Sequence, residues 1–395
     1  MSPVRATARG EQRTSLDGER ADVIVCGASF AGLAVARELA RELARSGVAG
    51  DVLVLDRYEI GERATSACAI PTPWLAAMGV EASARQVLPG MSFTTPHGRA
   101  RYRLPWTWSS FDYRELCTLL WEQCTTARFA TAVVHGRTGD TVHTDRGDLT
   151  APLIVDACGW RRVLGDPHVQ PPEATLSRGL EVHPHDGGGT DLDVYLQRDL
   201  VRRGYGWSVP AAGERRVGTL SYDPHDHVKE PTRALAAELD VDAVRYQGNW
   251  FPHALREATD GATFLVGDSA GHCFPLSGEG IRTAFYFGIA CGRELAAVLA
   301  GDRTREQALA QYTDFHENHR PAFVRAARLQ RLIPALPPRM LAFLLHLMRA
   351  QVVVDRAFGW YLQQAHPSLA ERDPAPPRHP PVPDGPPSPH ALRRP

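Results

Sequence analysis

The sequence almost lacks lysine: of its 44 basic residues, Lys229 alone is not an arginine. Chemistry that needs an amine able to lose its proton therefore has one candidate in the chain. The same Arg- and Ala-rich bias points to a GC-rich genome. Cysteine is present but without pattern. The seven, at 26, 68, 117, 124, 158, 273 and 291, form no C-x-x-C pair, and an odd number cannot close a complete disulfide framework. A reducing cytoplasm is the simplest setting. Net charge is missing too: −1 at pH 7 gives no global field to draw nucleic acid or an acidic membrane. No metal set stands out, because "HPHD" and "DPHDH" read as solvated turns.

Long apolar runs are also absent. The nearest approach, "RMLAFLLHLMRAQVVV" (339–354), is broken by His346 and Arg349 and falls short of the ~20 residues that span a bilayer. It reads as core or tunnel wall, with peripheral membrane contact as the sharper alternative. Residues 1–19 are polar, carry no apolar signal-peptide core, and are expected to be a flexible arm. No internal repeat is visible.

What is present is an ordinary globular composition, 43% hydrophobic and 23% charged over 395 residues, enough for two to three domains. Strand-like and helix-like segments alternate at first: strand 22–26, helix 30–46, strand 51–55 and a helix near 112–125. This favours an open parallel sheet. A β-rich block follows from about 175 to 250, and the chain then returns to strand, loop and helix. The expected division is 20–170 for the first part of a nucleotide-binding domain, with an excursion at about 71–105. A β-rich substrate domain at 171–255 and the resumed first domain at 256–302 follow. Helices are expected at 303–331 and 338–364 within 303–370, and the Pro-rich stretch 371–395 is expected to be disordered.

Two motifs carry the chemistry. In "ADVIVCGASFAGLAVARELA" a buried strand meets a glycine turn and an amphipathic helix. Gly27 permits the tight turn and Gly32 permits close helix–strand packing. Ser29 stands where a glycine would normally let the backbone approach a pyrophosphate, but its hydroxyl can donate to phosphate, and the helix start near Phe30 and Ala31 offers free amides. The second strand ends at Asp56, whose carboxylate can accept from both ribose hydroxyls. In "FLVGDSAGHCFPLSGEGI" a strand runs into Gly267 and Asp268, then a loop with Pro275, Gly278 and Gly280, then a helix from about Ile281. Asp268 can take a polyol hydroxyl, and the loop amides can face an anionic ring edge. That arrangement suits a flavin.

The pairing of "GASFAG" with "GDSAGHCFPLSGEGIRTAFYFG" resembles the FAD-dependent oxidoreductases of the p-hydroxybenzoate hydroxylase fold, and more closely their geranylgeranyl reductase family. The resemblance covers about residues 20 to 330. It implies an α/β fold: a Rossmann-like FAD-binding domain, an inserted β-rich substrate domain and a helical C-terminal region. It implies FAD as cofactor, with NAD(P)H or a reduced protein partner as electron donor. Arg57, Arg63 and Asp156 join the cofactor set, although "IVDACGWRR" places Cys158 where an acidic residue normally precedes the glycine.

Halogenases of this fold need a lysine between about 56 and 110, and none is there. "YGWSVP" looks instead like the reductases' Y-x-W-x-F-P, so Tyr205, Trp207 and Val209 are expected to wall a substrate cavity. Three alternating aromatic and apolar positions are equally those of an ordinary strand. Cys68 falls where those reductases carry a cysteine near the flavin. It would donate a proton, or serve as a small buried residue. His272, beside the flavin loop, reads as a structural hydrogen-bonding residue. The expected activity is reduction of a carbon–carbon double bond in a hydrophobic isoprenoid or specialised metabolite, with Cys68, Tyr205 or water supplying the proton. Monooxygenation of an aromatic or polyketide ring is the alternative, and a flavin-binding scaffold without turnover is the third reading. Oligomeric state is left open.

Overall fold

The computed structural model describes residues 14–64, 66–165, 175–185 and 188–371. Its centre is a six-stranded sheet. Strand β1 (Val23–Cys26) lies between β2 (Val52–Asp56) and the strand Leu153–Asp156, with Val25 level with both Val54 and Val155. Ala127–Thr131 extends it on one side and Thr263–Leu265 on the other, all parallel, with the short antiparallel Thr259–Asp260 at the edge. The strands are apolar without alternation because both faces are covered. Helix α1 (Phe30–Ser46) and the helix Ile281–Leu299 pack together on one face, and a cluster around Leu53, Leu55 and Val142 fills the other.

A second sheet has eight strands, in the order Gln247–Pro252, Leu176–Val182, Arg215–Ser221, Gly204–Pro210, Leu192–Tyr195, Ala84–Thr95, Gly98–Phe111, Ala69–Pro71. Three of them come from the excursion, which reaches from Ala69 to Phe111, a few residues wider at each end than the sequence suggests. A three-stranded hairpin sheet at Val134–Thr150 is the third sheet among the described residues.

Two local expectations need correction. The arm is not free up to residue 19: the Leu16 amide donates to the Arg146 carbonyl (2.8 Å), the Gly18 amide to Asp148 (2.9 Å), and Leu16 is buried against the hairpin sheet. Residues 1–13 lie outside the described residues, as does the expected tail from 372. The two long C-terminal helices are four: Arg305–Glu317, Arg320–Leu332, Pro338–Leu347 and Gln351–Gln363. Pro321 cannot donate to the Glu317 carbonyl, so a new helix starts there. The second break has a tertiary cause. Tyr102 donates to the Leu345 carbonyl (2.6 Å) and Gln351 to the Arg103 carbonyl (2.9 Å), fixing that turn against the strand Gly98–Phe111.

Candidate cofactor and substrate cleft

The first glycine turn is built by chain-on-chain packing. Gly27 has φ +113°, and a Cβ on it would sit 2.2 Å from the Ala157 carbonyl oxygen; one on Gly32 would sit 1.8 Å from the Gly27 carbonyl oxygen. Asp56 closes the turn from the side: its Oδ2 accepts from the Ala28 amide (2.8 Å) and its Oδ1 from the Tyr58 amide (2.9 Å). Ser29 does not cap α1. Its hydroxyl instead lies 3.0 Å from the Tyr113 hydroxyl. The first amides of α1 thus stand at the wall of a cleft without a side-chain cap, the arrangement that binds a diphosphate.

That cleft is continuous and large, ≈1560 Å³. It runs from Ser29, past Arg57 and Arg63, to Asp268 and Gly278, and on across Tyr205 and Trp207 to the C-terminal helices. Arg63 donates to the Tyr58 hydroxyl, and both guanidinium groups lie just over 5 Å from the Tyr58 ring (5.1 and 5.2 Å). Val133 and His135, on the hairpin side, line the same end.

At the second motif Asp268 faces the cleft, and among the described residues nothing donates a hydrogen bond to its carboxylate. Burial raises its pKa to about 6, with the Arg256 guanidinium pulling the other way. A half-buried acceptor without a donor is suited to a ligand hydroxyl. His272 makes the expected structural contact, accepting from the Gly267 amide through Nδ1 (3.0 Å) while its ring stacks 3.8 Å from Phe287.

The loop 273–280 is held by three tyrosines. Tyr205 donates to the Ser277 carbonyl, Tyr222 to the Leu276 carbonyl (2.8 Å), and Tyr361 to Glu279, with a second contact to Ser277 Oγ (2.9 Å). Glu279 also pairs with the buried Arg282 (2.9 Å), which donates to the Leu362 carbonyl (3.0 Å). Gly278, Gly280 and Ile281 line the cleft, whereas Pro275 is buried behind the loop and does not.

The sheet face opposite is organised in rows. Trp207, Gly218, Glu181 and Gln247 form one cross-strand row. The indole lies flat across Gly218, where a Cβ would come within 2.3 Å of it, and donates to Glu181 Oε2 (3.1 Å). Glu181 Oε1 accepts from His183 (2.9 Å) and Gln247 (2.6 Å), and the other His183 nitrogen meets Glu214 (3.0 Å). A ring with a carboxylate on each nitrogen is an imidazolium. Burial opposes its charge, but the two carboxylates raise its pKa. Burial likewise works against Glu181 and Glu214, yet His183 pulls both down, Glu214 to about 2. Arg216, beside Glu214, donates to the Ala67 and Cys68 carbonyls (2.9 and 3.2 Å).

Three expected roles are not those the structure gives. Cys68 is 2% exposed and does not line the cleft. Its thiol donates back to the Ser66 carbonyl (3.1 Å), its backbone is left-handed (φ +53°), and burial pushes its pKa up, so it is a packing residue. Tyr205 does line the cleft, but its proton is committed to Ser277 and burial raises its pKa, so it clamps the loop. Asp156 is fully buried, accepting from the Cys158 and Leu164 amides (2.9 and 2.7 Å) and from Ser269 (2.7 Å). It ties the segment "IVDACGWRR" to the second motif and does not line the cleft. Trp207 and Val209 do line the chamber. Sequence reading missed Glu181, His183, Glu214, Tyr222 and Tyr361. "EVH" was the available signal: ionisable residues two apart share a strand face.

No family model matches the sequence, and no curated protein matches it. Solved structures do match the fold. A geranylgeranyl bacteriochlorophyll reductase-like protein from Thermoplasma acidophilum superposes with a TM-score of 0.76 at 16% identity, over 89% of this chain and 98% of that one. A probable FAD-dependent monooxygenase from Pseudomonas aeruginosa gives 0.61 at 16%, over 82% and 99%. The anhydrotetracycline hydroxylase OxyS from Streptomyces rimosus gives 0.61 at 17%, over 89% and 75%. The expected p-hydroxybenzoate hydroxylase-like fold is thus the one observed.

Proposed function

We propose that this chain is an FAD-dependent oxidoreductase that reduces a carbon–carbon double bond of a hydrophobic substrate. One observation carries the reading: a single cleft joins a diphosphate turn, a half-buried hydroxyl acceptor and an apolar chamber. The backbone amides of Ser29 and of the first turn of α1 would hold the diphosphate, Asp56 the ribose, Asp268 the ribityl chain, and the 278–280 amides the flavin ring edge. Bound there, FAD would supply hydride chemistry.

The chain's own residues do the rest. Phe93, Val194, Val209, Leu345, Met348 and Phe358 line the chamber and exclude water from it, which favours an isoprenoid or similarly apolar specialised metabolite. Trp207 sets its floor. With Cys68 and Tyr205 committed elsewhere, water is the proton source that remains, and the charged network Glu181–His183–Glu214 holds Trp207 at the chamber wall. Lys229 lies against the Tyr246 ring (5.6 Å) and not in the cleft, so halogen transfer through a lysine has no support. The electron donor would be NAD(P)H or a reduced protein.

A monooxygenase is the second reading, favoured by the same dry chamber and by the monooxygenase and hydroxylase among the similar folds. Chemically reduced protein, incubated without oxygen with candidate alkenes, should reoxidise and yield products two mass units heavier. Reoxidation only on admitting air, with a gain of sixteen, would replace the reductase with the monooxygenase. Protein that never reoxidises in a substrate-dependent way would be a binding scaffold.

A further inference from the structure

The overall charge of −1 conceals one strongly uneven face. From Val324 to Arg356 the chain carries six arginines, at 325, 328, 331, 339, 349 and 356, and one acid, Asp355. All six arginines are exposed. Among them stand nine of the twelve exposed large apolar side chains of the described residues, including Leu332 at 54%, Phe343 at 64%, Leu347 at 62% and Val352 at 78%. Along the helix Pro338–Leu347 the apolar residues form two stripes. Leu341 and Leu345 line the chamber from within, while Met340, Phe343, Leu344 and Leu347, at helical spacing, point to solvent. Leu329, Leu332 and Leu344 belong to both sets: they line the cleft and are exposed. The chamber therefore reaches the surface through this exposed apolar, arginine-rich stretch.

We infer that this face docks in the plane of an anionic lipid bilayer, so that an apolar substrate enters the chamber without crossing water. An apolar stripe flanked by arginines is the pattern of interfacial helices, and basic residues are drawn to the negative surface of such a membrane. Among the described residues no helix is long and apolar enough to cross it, which makes the contact peripheral. The other occupants fit less well. The segment 372–395 carries four arginines against two aspartates, and Val382 and Leu392 are its only large aliphatic residues, so it matches the face in neither charge nor apolarity. A second copy would bring the same positive charge to the contact. The face rests on geometry independent of the proposed reaction, though the substrate route depends on that reading.

Sedimentation of the full chain with vesicles tests it, using pure phosphatidylcholine and phosphatidylcholine with phosphatidylglycerol. The protein should pellet with the anionic vesicles and be released by high salt. F343E/L347E should abolish pelleting, and R339Q/R349Q should weaken it, by about fivefold per arginine. These positions are exposed, and an unchanged melting temperature and flavin content would show that folding and cofactor binding survive. Failure to pellet with either vesicle overturns the inference. So does pelleting that the F343E/L347E variant retains, pelleting that appears only after deletion of 372–395, a dimer that F343E/L347E dissociates, or binding to an acidic carrier protein with none to vesicles. None of these outcomes changes the mass-spectrometric result, so the two proposals fail separately.

Discussion

Single residues divide here into those that touch ligand and those that hold the ones that do. On the proposed reading Asp268 is of the first kind, since it faces the cleft. Asp268→Ala should weaken FAD binding by about 1.5–3 kcal/mol, roughly ten- to a hundredfold. Its raised pKa adds a sign. A carboxylate whose folded pKa lies near 6, above its ordinary 3.8, favours the folded apoprotein while protonated and loses that contribution as pH rises through 6. Apoprotein stability should therefore fall across that interval, while FAD affinity should rise as the carboxylate becomes a better acceptor. Asp268→Asn should flatten both curves, measured by thermal melts and flavin fluorescence titration.

Glu181 is of the second kind. Glu181→Gln removes the charge facing His183 and should cost about 1–3 kcal/mol of stability, with a changed Trp207 fluorescence environment and FAD still bound. Cys68→Ser should leave FAD occupancy and turnover intact, against the role its position in the sequence suggests. What sequence could identify was what local geometry fixes, such as the tight turn at Gly27 and the close packing at Gly32. Asp156 and Cys68 were misjudged because a side chain's direction depends on what packs behind it, and Ser269 and Arg216 are far away in sequence.

At the scale of elements, α1 was legible to the residue because its apolar stripe, its preceding turn and Gly47 in the left-handed cap (φ 68°) agree. The C-terminal helices were legible as helices but not in their breaks, since Tyr102 and Gln351 set the second one from across the fold. The tyrosine clamp was invisible for the same reason: Tyr205 and Ser277 are 72 positions apart, and no periodicity links them. That clamp fixes the loop on which the flavin edge would rest. Tyr361→Phe should therefore loosen FAD, raising its dissociation constant about tenfold for the loss of one hydrogen bond near 1–1.5 kcal/mol. Ser29→Gly, which restores the usual glycine, should leave FAD affinity nearly unchanged, because Ser29 spends its hydroxyl on Tyr113. Equilibrium titration of both variants separates a held loop from a held phosphate.

For the whole molecule, FAD binding should couple to folding, since its cleft is walled by both large sheets and by the C-terminal helices. Excess FAD at a hundred times its dissociation constant should stabilise the protein by about 2.7 kcal/mol, read as a rise in melting temperature. The sheet order also has a temporal meaning. β1 and α1 emerge first from the ribosome, but α1 is covered by Ile281–Leu299, and the sheet gains Thr263–Leu265 only shortly before. At about 5–20 residues per second, the apolar face of α1 waits on the order of tens of seconds for its cover. A nascent chain cut short before residue 281 lacks the main cover of that face, so such fragments should aggregate rather than yield an isolated nucleotide-binding half.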